Sequence, residues 1–276
     1  MQKHSLVNTK RNRKTKKYST GSRKGSGTEG RSEEMGVAYV GCEHHCYYCY
    51  ALNQAETDWA KEIQIHRDIV DQLSQELTSI PPQTIYLGWN ADPYLPSEVR
   101  YRQTRQVLEL LLERGFSVTI LTKSDLIVRD IDVLQNMENT SIGISVAFND
   151  ENTRGLFEAN TLGNEARVGA LSKLREAGIR TYALICPVFP RIRDVELLID
   201  MLVPHADEIW IYGLSMKEHS DLNCRNTQAI LSRHFPKLKK QIEAAVFSAQ
   251  HPYWEELRQK LEKLRKERQL DLKICL

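Results

Sequence analysis

Three cysteines, Cys42, Cys46 and Cys49, fall within eight residues of the segment GCEHHCYYCYA (Gly41–Ala51). Three and then two residues separate them, so their thiolates can meet on one metal centre with a single loop wrapped around it. Four thiolates complete an ordinary iron–sulfur site or a tetrahedral zinc. Three thiolates on a four-iron cluster leave one iron open to a substrate or cofactor, as an open position marks a catalytic zinc. His44 and His45 lie inside the loop, so a structural zinc completed by a histidine stays open on spacing alone. Glu43 reads as a solvated loop residue. Of the other cysteines, Cys186 lies in the apolar run Ala183–Val188 and reads as an inert core thiol, while Cys224 and Cys275 have no nearby ligands in the sequence.

The composition suits an enzyme-sized soluble chain. At 276 residues, 41% hydrophobic and 27% charged, it can bury a sizeable core without disulfide or metal staples. The net charge of +2 is the sum of two unlike parts. Residues 1–24 carry nine of the 38 Lys and Arg and no Asp or Glu, leaving 29 basic against 36 acidic residues in 25–276. No run approaches the ~18 apolar residues of a membrane span, and the basic start lacks the apolar core of a secretory signal. These features point to a cytoplasmic protein without membrane contact. In that setting a local cysteine cluster signals metal binding or catalysis rather than disulfides. Residues 1–34 are too poor in large apolar side chains to offset their ordering entropy and read as a basic, mobile tail. Its charge is suited to phosphate contacts with nucleic acid or to a solubilising role.

The elements that must position the cysteine loop follow a repeating pattern. Gly36–Val40 is a short apolar run leading into it, and a helix is expected over 55–79. Strands are expected at Thr84–Leu87, Phe116–Leu121, Ser141–Phe148, Thr181–Val188 and Glu208–Tyr212. Amphipathic helices intervene at 99–114, after a cap at Asp125, at 164–177 and at 193–203. Such alternation predicts an α/β fold with a parallel sheet; an incomplete β/α barrel and a doubly wound sheet both fit. Beyond it lie a helical region at 226–247 broken by Pro236, a helix opened by Pro252, and a final strand around Leu270–Ile274. The expected domains are therefore the tail 1–34, a core 35–215 and a C-terminal helical extension 216–276 ending in a short strand.

CX3CX2C with Tyr48 before the third cysteine resembles the signature of the radical S-adenosylmethionine (radical SAM) superfamily. GCEHHCYYCYA is similar to the form found in the family related to spore photoproduct lyase, often labelled DNA repair photolyase. The segments Leu87–Glu98, Ile120–Leu134, Ser141–Asp150 and Ala183–Pro190 follow in that family's order. The chain has its own residues at His45, Leu52 and Trp89-Asn90, and no cysteine matches the additional catalytic one of true spore photoproduct lyases.

The resemblance implies a partial (β/α)6 TIM-like barrel. It also implies a 4Fe–4S cluster on Cys42, Cys46 and Cys49 whose open iron chelates S-adenosylmethionine. Reductive cleavage of that cofactor releases a 5′-deoxyadenosyl radical that abstracts hydrogen from a substrate. By the same resemblance Tyr48 lies near the adenine, Lys123 and Ser145 contact S-adenosylmethionine, and Asn90 and Asp92 recognise its methionyl amino group. A flavodoxin- or ferredoxin-type electron donor is implied as partner. Nucleic acid is the favoured substrate class, with no catalytic side chain assigned and no oligomeric state indicated. The rival from another class is a non-catalytic, zinc-stabilised nucleic-acid-binding protein.

Overall fold

The computed structural model describes the backbone of residues 3–7 and residues 38–55, 57–192 and 194–276. A small sheet comes first. Strand β3 (Glu62–His66) lies between β1 (Lys3–Val7), which is parallel to it, and β2 (Tyr39–Val40), which is antiparallel. The expected helix over 55–79 therefore starts only at α1 (Ile69–Glu76). Ile63 and Ile65 alternate at period two and are both fully buried, which suits a strand with neighbours on either edge. The mobile-tail reading fails for Lys3–Val7, whose backbone finds partners along β3; the rest of 1–34 lies outside the described residues.

The main sheet has six strands, all parallel and in sequential order: β4 (Thr84–Leu87), β5 (Ser117–Thr122), β6 (Ser141–Ser145), β7 (Arg180–Val188), β8 (Glu208–Gly213) and β9 (Leu272–Cys275). Helices α2 (Glu98–Tyr101), α3 (Gln103–Glu113), α4 (Ile131–Leu134), α5 (Glu151–Phe157), α6 (Asn164–Glu176) and α7 (Val195–Leu202) connect the first five. A doubly wound sheet reverses its strand order at a switch point. This one never reverses, so the architecture is a partial β/α barrel. Helices α8 (Leu222–His234), α9 (Lys239–Val246) and α10 (Pro252–Arg268) follow, broken around Pro236 and before Pro252 as expected. The C-terminal segment then returns β9 to pair with β8. Among the described residues no helix is long and apolar enough to cross a membrane.

The pleat sorts side chains by face. Ile85, Val118, Ile120, Ile142, Ile144, Ala183, Ile185, Ile209, Ile211 and Leu272 join one core cluster with Leu108 and Leu111 of α3, Leu171 and Leu174 of α6, Leu198 and Ile199 of α7 and Leu261 of α10. Each such Val, Leu or Ile side chain, fully buried, contributes about 1.5–3 kcal/mol. The intervening positions, Tyr86, Leu121, Gly143, Ser145, Tyr182, Cys186, Trp210 and Tyr212, stay out of that core and face the inside of the arc. Gly143 makes room there, since a Cβ would meet the Tyr182 ring at 2.2 Å. At the rim, Ser124 rather than Asp125 caps the turn after β5, accepting from the Leu126 N–H at 3.3 Å.

Candidate active site

The cysteine loop leaves β2 through Gly41 at φ +94°, where a Cβ would press on Ile63 and Trp59 at 2.8 and 2.9 Å. It then winds in short turns. Cys42 O accepts from the His45 N–H, Cys46 O from the Cys49 N–H and Cys49 O from the Leu52 N–H, at 3.0–3.2 Å. Three neighbours fasten it. The Tyr47 N–H donates to Phe157 O at 3.0 Å, the Ser97 N–H donates to Glu43 Oε2 at 2.6 Å, and Asn53 and Asn223 exchange hydrogen bonds at 3.0 and 3.1 Å. Glu43 is thus a tether to the loop after β4 and not a solvated residue.

The three thiols lie in one loop, Cys46 buried and Cys42 and Cys49 partly exposed. Cys46 senses the charge of both Cys42 and Cys49, and burial raises the pKa of all three, that of Cys42 to about 12 with the Asp92 carboxylate adding to the rise. Such thiols ionise when a metal supplies the compensating charge. Among the described residues no three His, Cys, Asp or Glu side chains are arranged to hold a single metal ion. A mononuclear zinc needs donors at about 2.0–2.3 Å from one point, whereas a cluster bonds each thiolate to a different iron. His44 faces Asp92, with Nε2 3.3 Å from Oδ2, so that nitrogen is directed at the carboxylate.

Asp92 brackets three loops. Its Oδ1 accepts from the Tyr94 N–H at 2.9 Å and the Thr122 hydroxyl at 2.5 Å; Oδ2 accepts from the Lys123 N–H at 2.7 Å and faces His44. Burial alone would raise its pKa, but the His44 charge, with the bonds from His44, Thr122 and Lys123, holds it down at about 2. Gly88 starts this loop at φ +117°, where a Cβ would stand 2.3 Å from Leu121 O. Only glycine lets the chain cross β5 so closely.

Lys123, directly after β5, and Ser145, at the end of β6, meet. The Nζ donates to Ser145 Oγ at 2.9 Å and lies 4.0 Å from Glu158 Oε1 and 5.9 Å from the Tyr48 ring centre. Burial pushes the ammonium's pKa down, yet Glu158 and Cys46 outweigh it and the net direction is up. Glu158 is fully buried at the end of α5. It accepts from the Tyr48 hydroxyl and from Arg167 Nη2 at 2.7 Å, while Arg167 Nη1 donates to Ser145 O at 2.9 Å. Within this network two cations face one carboxylate beside Cys46. Unmatched buried charge is unfavourable, so the pocket is prepared for a negatively charged group. That surplus and three neighbouring thiols, one buried and two half-buried, fit an anionic iron–sulfur cluster.

The structure thus brings Cys42, Cys46, Cys49, Lys123 and Ser145 to one place. Asp92 acts there through the loops that it joins, and Asn90 is half-buried between Gly88 and Asp92. The Tyr48 ring packs against Phe148 and Phe189 at 6.3 and 5.7 Å, so its side chain faces the core while its carbonyl accepts from Asn223 at 3.2 Å. Sequence reasoning missed Glu158 and Arg167, an acid after Phe157 and a base within an ordinary helix, neither with a local signature. It also misread Cys186. That thiol is half-buried on the inner face, senses Lys123, Cys49 and Glu158, and has its pKa raised by burial to about 11.

Comparison with known proteins bears on the family and the fold. An uncharacterised protein of Methanocaldococcus jannaschii is 30% identical over 183 residues, spanning 65% of this chain and 69% of that one. An uncharacterised protein of Mycobacterium tuberculosis is 28% identical over 196 residues, spanning 65% of this chain and 58% of its own. A spore photoproduct lyase variant superposes with a TM-score of 0.63 at 16% identity, covering 92% of this chain and 79% of the lyase. Another variant of that lyase, with bound AdoMet and dinucleoside spore photoproduct, superposes at 0.58 and 15% identity, covering 86% of this chain and 74% of that one. At such identity these two establish the fold alone. The description "Radical SAM superfamily" matches residues 37–202, more than half of the chain and the whole span from β2 to α7. The chain belongs to the radical SAM superfamily.

Proposed function

We propose that this radical SAM enzyme holds a 4Fe–4S cluster on Cys42, Cys46 and Cys49 and acts on a nucleic-acid substrate. The observation that carries the cofactor assignment is the meeting of Lys123 and Ser145 beside Cys46. When bound, the cluster and S-adenosylmethionine supply reductive cleavage of a C–S bond and hydrogen abstraction from the substrate. Everything else falls to the chain. The cysteine loop gives three thiolates, that of Cys46 buried and those of Cys42 and Cys49 half-buried. Lys123 offers an ammonium and Ser145 a hydroxyl to the carboxylate side of S-adenosylmethionine, and Asn90 an amide to its amino end. Asp92 holds the loops that carry them, and Tyr48 lines the floor.

The electron comes from a flavodoxin- or ferredoxin-type donor in the cytoplasm. Residues 35–215 form the catalytic core in this reading, with 216–276 as its C-terminal extension and the basic N-terminal segment as an accessory. The nucleic-acid substrate is supported by that segment's charge and by the fold shared with a lyase bound to a dinucleoside photoproduct.

The test is anaerobic reconstitution with iron and sulfide. A brown protein that forms 5′-deoxyadenosine from S-adenosylmethionine and reductant is expected, and Cys46→Ala should lose both colour and product. A colourless protein that retains stoichiometric zinc would overturn the reading.

A further inference from the structure

The inner face of the barrel carries more aromatic surface than its packing uses. On β8, Trp210 and Tyr212 occupy successive inward positions with their rings parallel to within 6° at 6.3 Å. Tyr182 of β7 lies 6.2 Å from Trp210. On β4, Tyr86 packs against Trp89 at 4.9 Å, and Trp89 itself is 54% exposed at the rim. None of the five belongs to the core between sheet and helices. The indole N–H of Trp210 is buried with no hydrogen-bond partner in the protein, a donor left for an acceptor from water or ligand. The wall adjoins the cofactor pocket on the sheet, because Tyr182 pairs with Gly143 of β6, two residues before Ser145 on the same inward face.

We infer that Tyr86, Trp89, Trp210 and Tyr212, backed by the buried Tyr182, form a subsite for an unstacked nucleobase, stacked on the rings with a base acceptor taken by the Trp210 N–H. The inference rests on the nucleic-acid reading above and names the part of the protein that distinguishes a base from a phosphate. Flat π surfaces lining a groove are how single strands and extruded bases are held without a complementary strand. A planar ring with carbonyl or ring-nitrogen acceptors satisfies both the faces and the lone donor. The distribution of charge supports the same division independently. Residues 1–24 hold nine Lys and Arg and no acid, whereas residues 25–276 carry an acidic excess. Phosphate attraction thus comes from the tail and base recognition from the wall.

That division makes the test specific. Fluorescein-labelled single-stranded DNA 12-mers, one of mixed sequence and one fully abasic, are titrated with the reconstituted full-length protein over a salt series. The variants are Trp210→Leu, Trp89→Ala, and a chain with all Lys and Arg between residues 10 and 24 changed to Gln. Stacking losses are roughly 5- to 150-fold per base. The two tryptophan variants should weaken the base-bearing strand by that order and leave the abasic strand and the salt slope unchanged. The tail variant should flatten the slope for both strands by up to about 0.7 for each phosphate that is no longer neutralised.

Equal weakening of both strands by the tryptophan variants, or none, would overturn the aromatic subsite while leaving nucleic-acid binding in place. Weaker S-adenosylmethionine binding by Trp210→Leu would likewise reassign the wall to the cofactor. A wild-type chain that binds neither strand but binds peptide would remove the underlying reading as well. Iron content and thermal midpoint, measured for each variant, separate these outcomes from misfolding.

Discussion

Lys123, directly after β5, and Ser145, at the end of the neighbouring β6, are 22 positions apart and joined by a 2.9 Å hydrogen bond from Nζ to Oγ. Both stand next to the cysteine pocket, and Glu158 steadies the ammonium from behind at 4.0 Å. A lysine so placed keeps its charge in a largely dry environment, which suits recognition of a carboxylate. Replacing it by methionine should keep iron content and lower affinity for S-adenosylmethionine. A charged hydrogen bond worth about 1.5–3 kcal/mol corresponds to a loss of about 10- to 150-fold. Equilibrium dialysis on the reconstituted protein checks this; unchanged affinity would restrict Lys123 to its partnership with Glu158.

Glu158→Gln leaves Lys123 and Arg167 without their shared counter-charge. Removing one partner of a buried pair costs about 3–5 kcal/mol, so the iron-free variant should unfold at markedly lower urea. The loaded variant should lose less, because the cluster's negative charge substitutes in part. Equal losses with and without iron would show that the surplus positive charge is unrelated to the metal site.

Asp92→Asn weakens the bracket among the loop after β4, the end of β5 and His44. An amide cannot accept from Thr122, Lys123 and Tyr94 and also match His44, and a buried hydrogen-bonding group left unsatisfied costs about 1–3 kcal/mol. A lower urea midpoint and slower iron uptake are expected together. A stable variant with normal uptake would show that the loops hold their places without it.

Gly88→Ala tests the crossing over Leu121. The left-handed backbone alone costs a side chain about 1–3 kcal/mol, and a contact of 2.3 Å to a carbonyl oxygen cannot be relieved by a rotamer change. The thermal midpoint should fall, and S-adenosylmethionine affinity should fall with it, because Asn90 and Asp92 are displaced. Wild-type values for both would mean that the loop adopts another path.

Cys186→Ala should bind as much iron and sulfide as the wild type, since three cysteines suffice for an open-iron cluster. An iron count reduced to background would instead make Cys186 a ligand.

Much of this site was legible because its residues lie near one another in sequence or at strand ends. The CX3CX2C loop, Lys123 and Ser145 are of this kind, and the six-strand alternation located them. Glu158 and Arg167 were not legible, because a buried ion pair between consecutive helices leaves no local pattern. Glu62–His66 was misassigned because Ile63 also fits a helical stripe running on to Ile69 and Val70. The Ile63–Ile65 alternation carried the correct signal, and only pairing with β1 and β2 decides between them. Trp210 and Tyr212 were read as strand residues, although their alternation with Ile209 and Ile211 already separated an aromatic face from an aliphatic one.

That separation makes the sheet a partition between two kinds of selection. Aliphatic side chains on the outward face answer to the helices and so to folding. Those on the inward face, Tyr86, Trp210 and Tyr212 among them, answer to whatever enters the arc. Substitution on one face leaves the other's packing largely alone, because the two sets touch only through the backbone. A scaffold of this form can exchange its substrate by small steps without passing through unstable intermediates, and its inner face is where close relatives are expected to diverge first.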